Sequence, residues 1–91
     1  MALKLPSRDP DEVLDYVVDW SARLGADTIS TSSFAIDSGV AVIGVTSATT
    51  TTTTVWLSGG VAGEITQVRA RIVTAGGRTM DQTLTQKINN R

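Results

Sequence analysis

Residues 66–74 alternate with a period of two between two kinds of side chain. One parity holds threonine and apolar residues, and the other is mostly polar and includes Arg69 and Arg71. This alternation predicts a β-strand with one face buried and the other in water. The sequence Ala75-Gly76-Gly77-Arg78 follows at once and predicts a tight turn into a last strand. These residues therefore predict an antiparallel hairpin toward the C-terminal end.

The same period occurs near the start of the sequence. Leu14, Tyr16, Val18 and Trp20 share one parity. This spacing fits a strand over residues 13–24 better than it fits a helix. The content of β-branched and aromatic residues also favours a strand. Trp20 is therefore predicted to lie in the core.

The middle of the sequence predicts further strands, two of them irregular. Ile29 and Phe34 have opposite parity, so a strand that buries both needs a bulge or a bend between them. The next strand follows a turn at residues 37–39 and has a candidate bulge at Gly44. The threonine run then predicts a strand from residue 48 or 49 to about residue 58, because threonine favours extended backbone.

Together these segments give about six or seven short strands, with glycine or Asx turns between them and no convincing helix. This pattern predicts an all-β, antiparallel β-sandwich of about seven strands. Residues 1–12 contain both prolines and predict an extended N-terminal arm, and residues 13–91 are predicted to form the sandwich domain. The arm is expected to contact a neighbouring protein through Leu3 and Leu5, and to be dispensable for the fold.

The composition excludes several kinds of chemistry. Because the chain has no cysteine and no histidine, it has no disulfide, no zinc site of the Cys/His kind and no Ser/His/Asp triad. Asp15 and Asp19 would lie roughly 13 Å apart along one strand, which is farther than glycosidase carboxylates lie. We therefore predict a protein that is not an enzyme, with no catalytic residue, no metal site and no cofactor.

Charge and hydropathy narrow the choice of partners. The net charge of −1 does not suit a nucleic-acid binder. No apolar run approaches the roughly 20 residues of a membrane span, and no signal peptide is expected.

Residues 1–37 contain three basic and seven acidic side chains, while residues 38–91 contain five basic and two acidic ones. This asymmetry indicates either a solvated surface or a dipolar subunit whose acidic end meets the basic end of a neighbour.

Two outward features are candidate partner-binding sites. Val55 and Leu57 form the natural core pair of their strand, which leaves Trp56 outward. Trp56 is predicted to be partly exposed in the monomer and buried by a partner, the alternative being an indole laid flat over the sheet edge. Arg69 and Arg71 indicate either a hydrated outer face or a dock for acidic residues of a neighbour.

Three stretches resemble a family of small immunoglobulin-like structural proteins that tailed phages encode among their head and head-completion genes. They are DPDEVLDYVVDW, GADTIS and VWLSGGVAGEITQVRARIVTAGGR, and the resemblance spans about residues 9–88. The most specific parts are Asp15-Tyr16 with Asp19-Trp20, and residues 55–60 with Gly63. The resemblance implies an immunoglobulin-like sandwich, a role as a virion protein and no catalytic residue.

This resemblance leads to a first functional hypothesis and two alternatives. The first is a capsid decoration or cement protein that bridges major capsid subunits as a dimer or trimer, on the capsid surface of the virion and in the host cytoplasm during assembly. One alternative is a tail or connector component. The other is a host-adhesion module in which Trp56 and the threonine tract contact carbohydrate. No nucleic acid or membrane is expected among the partners.

Overall fold

Seven strands and one short helix make up the described part of the chain. The computed structural model describes residues 2–90. Met1, the first residue of the predicted arm, and Arg91, the last of the predicted domain, lie outside the described residues. The elements are β1 (Ala2–Lys4), β2 (Leu14–Asp19), α1 (Ser21–Leu24), β3 (Ile29–Ser38), β4 (Ala41–Ala48), β5 (Thr52–Gly59), β6 (Ile65–Thr74) and β7 (Thr79–Lys87).

Two sheets form the layers of the fold. The four-stranded sheet has the order β1-β7-β6-β3, and the three-stranded sheet has the order β2-β5-β4. Without β1, these two orders are those of strands G-F-C and B-E-D of an immunoglobulin domain. The predicted all-β sandwich is confirmed. One pairing departs from the antiparallel prediction, since β1 runs parallel to β7.

The inward faces of the two sheets form the core. In β6 the side chains of one parity are all buried, as the alternation predicts; they are Thr66, Val68, Ala70, Ile72 and Thr74. Trp20, Val55, Leu57 and Leu84 are also no more than 1% exposed. Burial of one such apolar side chain contributes about 1.5–3 kcal/mol. The predicted core position of Trp20 is confirmed.

β2 ends at Asp19, and the residues that follow form the short helix α1. The Asp19 carboxylate accepts a hydrogen bond from the Ser21 backbone N–H at 2.9 Å, which turns the chain out of the strand. Trp20 and Leu24 are both buried, and Trp20 Nε1 donates to Thr53 Oγ1 at 3.0 Å. The predicted strand over residues 13–24 is therefore wrong beyond Asp19, because a local side-chain hydrogen bond competes with the strand ladder.

The two predicted bulges lie where the change of parity in β3 and the glycine in β4 indicate them. The pairing of β3 with β6 shifts register between Ile29 and Thr31. The pairing of β4 with β5 shifts between Ile43 and Thr46, which is the position of Gly44. Each bulge changes which residues of the strand face the core. Phe34 and Ile29 accordingly both pack against the core cluster.

The threonine run forms a turn before it forms a strand. β5 begins at Thr52, later than the predicted start at residue 48 or 49. Thr49 Oγ1 accepts a hydrogen bond from the Thr52 backbone N–H at 3.0 Å, and the Thr49 N–H donates to Thr52 O at 2.8 Å. The hydroxyl therefore closes a turn, a local alternative to strand pairing that is open to threonine.

The N-terminal segment lies along β7 and completes the four-stranded sheet. The Leu5 N–H donates to Thr85 O at 2.8 Å, and the Arg8 N–H donates to Lys87 O at 3.1 Å. The Leu5 side chain is 7% exposed and belongs to the core cluster. The predicted arm is extended, but it is not separate from the sandwich and Leu5 is not available to a neighbour. This correction follows because strand pairing satisfies the backbone polar groups of the segment.

Arg8 joins this segment to β7 from inside the protein. Its side chain is fully buried. Nε donates to Gln86 Oε1 at 3.0 Å, and Nη1 donates to the backbone oxygens of Asp9 and Glu12 at 3.2 and 3.0 Å. Gln86 Nε2 donates in turn to Pro6 O at 2.9 Å. Because a buried charge is costly unless it is hydrogen-bonded, these acceptors fix the segment against β7.

Candidate protein-binding surfaces

Trp56 lies on the outer face of the three-stranded sheet. Its neighbours Val55 and Leu57 are fully buried, whereas Trp56 is 39% exposed. The strand period requires this arrangement, because successive side chains point to opposite faces. The prediction that Trp56 is partly exposed in the free chain is confirmed, and its burial by a partner stays a prediction.

The residues around Trp56 are mostly small or apolar. Trp56 pairs with Asp15 on β2, where the next outward residue, Val17, is 57% exposed. On β4 the bulge sets Gly44 and Val45 opposite Trp56, and Val45 is 71% exposed. We call this surface the Trp56 face; its residues are Asp15, Val17 and Asp19 of β2, Thr52, Thr54 and Trp56 of β5, and Val42 and Val45 of β4.

The Trp56 face has acidic charge along β2 and none elsewhere. Residues 38–63, which include β4 and β5, contain no charged side chain. Asp15 and Asp19 are both exposed. The hydrogen bonds from the Ser21 backbone N–H and then its hydroxyl lower the pKa of Asp19 below its ordinary value, so Asp19 is charged at neutral pH. Such a face suits a partner that offers apolar and cationic groups.

Arg69 and Arg71 lie on the outer face of the opposite sheet. Arg71 meets Asp81 through two contacts, Nε to Oδ1 at 2.7 Å and Nη2 to Oδ2 at 2.9 Å. Arg69 Nη2 lies 3.5 Å from Asp37 Oδ1. Both pairs are well exposed, so each contributes little to stability. Each arginine thus has an acidic partner in its own chain, and docking of a neighbour's acidic residues stays a prediction.

The Arg71–Asp81 pair predicts a pH-dependent stability difference. The hydrogen bond from Arg71 lowers the pKa of the Asp81 carboxyl below its ordinary value. The resulting stabilisation is present above the unfolded-state pKa and is lost as the pH falls through the folded-state pKa. We expect Asp81→Asn to lower the melting temperature slightly at pH 7 and not at all at a pH below the folded-state pKa. Thermal melts across this pH range measure the difference, and a gap that is constant with pH would contradict the assignment.

A cleft with two lysines lies at one end of the outer face of the four-stranded sheet. It encloses about 240 Å³ and is lined by Lys4, Ile65, Thr85, Gln86 and Lys87. The register assembles it, because Lys4 pairs with Thr85 and Ile65 pairs with Lys87. Ile65 is 56% exposed. We call this site the lysine cleft. The sequence interpretation missed it because it placed Lys4 in a separate arm.

Comparison with known proteins connects the chain to phage tails. The model of a family described as podophage GP4 fiber-tail adaptor protein gp77 matches residues 8–87. The chain belongs to the gp77 fiber-tail adaptor family. No curated protein matches it. The matched residues include all of β2 to β7, and therefore every strand of the two sheets except β1.

Membership of the gp77 family bears on the functional hypotheses. It supports a structural protein of a phage virion, which the resemblance implied. It does not support a head decoration or cement protein on the capsid surface. The alternative of a tail or connector component fits the gp77 family better than capsid bridging does.

The five residues predicted to bind partners lie at separate places in this gp77-family chain. Trp56 is on one outer face, and Arg69 and Arg71 are on the opposite one. Leu3, 42% exposed, is on the edge strand β1. Leu5 is in the core and is withdrawn from the set. The structure therefore offers several distinct contact surfaces rather than one site.

The described residues of this gp77-family chain form neither of two other kinds of site, a metal centre and a membrane-spanning helix. Within residues 2–90 no group of three or more His, Cys, Asp or Glu side chains is placed to hold a metal ion. The same residues contain no helix of the length and hydropathy that a membrane crossing requires. What the two outer faces present is apolar contact, ion pairing and hydrogen bonding, which is the chemistry of protein binding.

Proposed function

We propose that this protein is a non-catalytic adaptor of a podophage virion that links a fibre to the tail. The observation that carries the proposal is the family match over residues 8–87, which includes every strand of the two sheets except β1. Membership of a family predicts a role, and the surfaces of this chain must be suited to that role.

The two outer faces suit a protein that holds two neighbours at once. The Trp56 face is apolar and acidic, whereas the opposite face presents Arg69, Arg71 and the lysine cleft. Because the faces lie on opposite sides of the sandwich, a protein docked on one leaves the other accessible. Their unlike charge favours different partners, since electrostatic complementarity mainly sets specificity.

Particles assembled without this protein test the adaptor role. We expect them to have filled heads and to lack fibres, and we expect fibres to return when the protein is supplied in trans. Electron microscopy of both preparations measures the fibres and the number of copies per particle. Fibres at the normal level in its absence, or hundreds of copies on the head shell, would reject the adaptor and favour a head protein.

The arginines of the four-stranded sheet are the proposed contacts to an acidic surface of the tail or fibre. We expect Arg69→Gln with Arg71→Gln to lower the number of copies per particle at least severalfold, because both ion pairs are exposed and a neighbour's carboxylates can compete with Asp37 and Asp81 for the guanidinium groups. Arg78→Gln removes an exposed arginine at the β6–β7 turn and is the matched control. A normal copy number in the double variant would show that the two arginines do not contact the tail or fibre. The adaptor role would then still be tested by the particles assembled without this protein.

A further inference from the structure

We propose that the Trp56 face of one copy binds the lysine cleft of a second copy, so that copies of this chain associate head to tail. The proposal goes beyond the adaptor role, because it concerns the purified chain and needs neither fibre nor tail.

The Trp56 face has the composition of a surface that a partner buries. Trp56, Val17 and Val45 are 39%, 57% and 71% exposed, and they lie on three adjacent strands of one sheet. Contiguous exposed apolar side chains with a polar border mark contact sites, and tryptophan is enriched at their centres. A single exposed valine needs no such explanation, whereas this arrangement does.

Charge argues against two Trp56 faces meeting each other. Asp15 is paired across the strands with Trp56, and Asp19 lies further along β2. The face has no cation, since residues 38–63 are uncharged and β2 contains only these two acidic residues. A symmetric contact would bring like charges together while removing them from water, which is costly. The partner surface is therefore expected to supply cations.

The lysines of the cleft are the described cations best able to fill this role. Four other cations of residues 2–90 have contacts in their own chain; Arg8 is buried, Arg23 lies 5.2 Å from the Trp20 ring centre, and Arg69 and Arg71 pair with Asp37 and Asp81. Arg78 is a single cation in the β6–β7 turn, whereas the cleft holds two. Lys4 and Lys87 are exposed, and within residues 2–90 neither forms an ion pair.

The lysine cleft also matches the apolar part of the Trp56 face. Its two lysines lie beside Ile65, which is 56% exposed, around a space of about 240 Å³. An indole ring that entered this space would contact Ile65 and lie near an ammonium group, which favours the face of a tryptophan ring. Asp15, next to Trp56, would then lie within reach of the lysines.

The positions of the two surfaces decide the kind of assembly. The Trp56 face is on the outside of one sheet and the lysine cleft on the outside of the other. One copy can therefore use both surfaces at once, and the contact is heterologous. Such a contact produces a closed ring if the rotation per copy closes, and an open file if it does not.

Two variants that each disable one surface test this contact. Trp56→Ser removes the ring, and Lys4→Glu with Lys87→Glu inverts the charge of the cleft. Sedimentation velocity at low salt is expected to show concentration-dependent oligomers for the unmodified chain and at least tenfold weaker association for each variant alone. A mixture of the two variants is expected to form dimers and nothing larger, because one intact surface of each kind remains.

Matched controls and a second readout accompany the mixing experiment. Val61→Ser and Arg78→Glu change an exposed valine and an exposed cation outside both surfaces and should associate like the unmodified chain. In a Trp20→Phe background the emission of Trp56 should shift to shorter wavelength as association proceeds. Higher salt should weaken association, since the contact involves partly exposed charges.

Three outcomes would overturn the proposal. An unmodified chain that stays monomeric at all concentrations would show that the chain does not associate with itself. A charge-inverted cleft variant that still associates by itself would indicate a symmetric contact through the Trp56 face. A mixture of the two variants that stays monomeric would show that the Trp56 face does not bind the lysine cleft. None of these results depends on fibres, so each leaves the particle experiment on the adaptor role unaffected.

Discussion

A chain that lacks residues 2–8 is expected to be largely unfolded at 25 °C. The deletion removes β1, takes Leu5 out of the core cluster and takes the buried Arg8 out of its hydrogen bonds. Loss of a core leucine side chain costs about 2–5 kcal/mol, and a buried Gln86 side chain that loses its Arg8 partner costs about 1–3 kcal/mol. Together with the lost backbone hydrogen bonds to β7, these losses reach the lower part of the roughly 5–15 kcal/mol that stabilises a whole domain.

Far-ultraviolet circular dichroism and, in a Trp56→Phe background, the fluorescence of Trp20 measure this loss directly. Deletion of residues 2–4 alone is the matched control, because it removes the three-residue strand and keeps Leu5 and Arg8. We expect the shorter deletion to unfold cooperatively at a lower urea concentration than the full chain. If the longer deletion unfolds at the same urea concentration as the full chain, residues 2–8 are a dispensable arm after all.

The strands that local alternation specifies are the part of the fold that the sequence predicts well. The outward position of Trp56 and the buried parity of β6 both follow from the period of two, and the structure confirms them. The bulge near Ile29 was predictable from the change of parity between Ile29 and Phe34, and the bulge near Gly44 from the mid-strand glycine. A change of parity or a mid-strand glycine is a local property that needs no knowledge of the partner strand.

The parts that depend on distant pairing were not predictable in this way. The proline content of residues 1–12 indicates extended backbone, but it contains no information on which strand that backbone meets. The parallel pairing of Lys4 with Thr85 joins opposite ends of the chain. The lysine cleft exists only because of that pairing, so the same missing contact hid both the fourth strand and the cleft.

The acidic partners of the arginines illustrate an intermediate case. The hairpin turn at residues 75–78 fixes the register that sets Arg71 opposite Asp81. This pair could therefore have been predicted from the sequence. The partner of Arg69 is Asp37 on β3, whose alignment with β6 includes two register shifts. Side-chain pairs between strands that are distant in sequence and contain bulges cannot be assigned from alternation alone.

Replacement of Arg8 by alanine is expected to lower the free energy of unfolding by about 1–3 kcal/mol. The change leaves a cavity beside Gln86, a residue that is only 1% exposed. It also removes the donor whose hydrogen bond Gln86 Oε1 accepts. A buried acceptor without a partner retains its full desolvation penalty. Urea denaturation monitored by fluorescence gives the free energy, and the slope of the transition shows whether unfolding stays two-state.

Removal of both sides of this contact separates the hydrogen bond from the packing. Arg8→Met with Gln86→Leu keeps comparable apolar volume and leaves neither the cation nor the amide buried. The backbone oxygens of Asp9 and Glu12 that also accept from Arg8 are only part-buried, so water can replace that donor. We expect the double variant to recover most of the stability that Arg8→Ala loses, since well-packed apolar replacements of buried polar pairs are often neutral. Equal losses in Arg8→Ala and in the double variant would show that Arg8 stabilises the segment through its contacts with those backbone oxygens and not through Gln86.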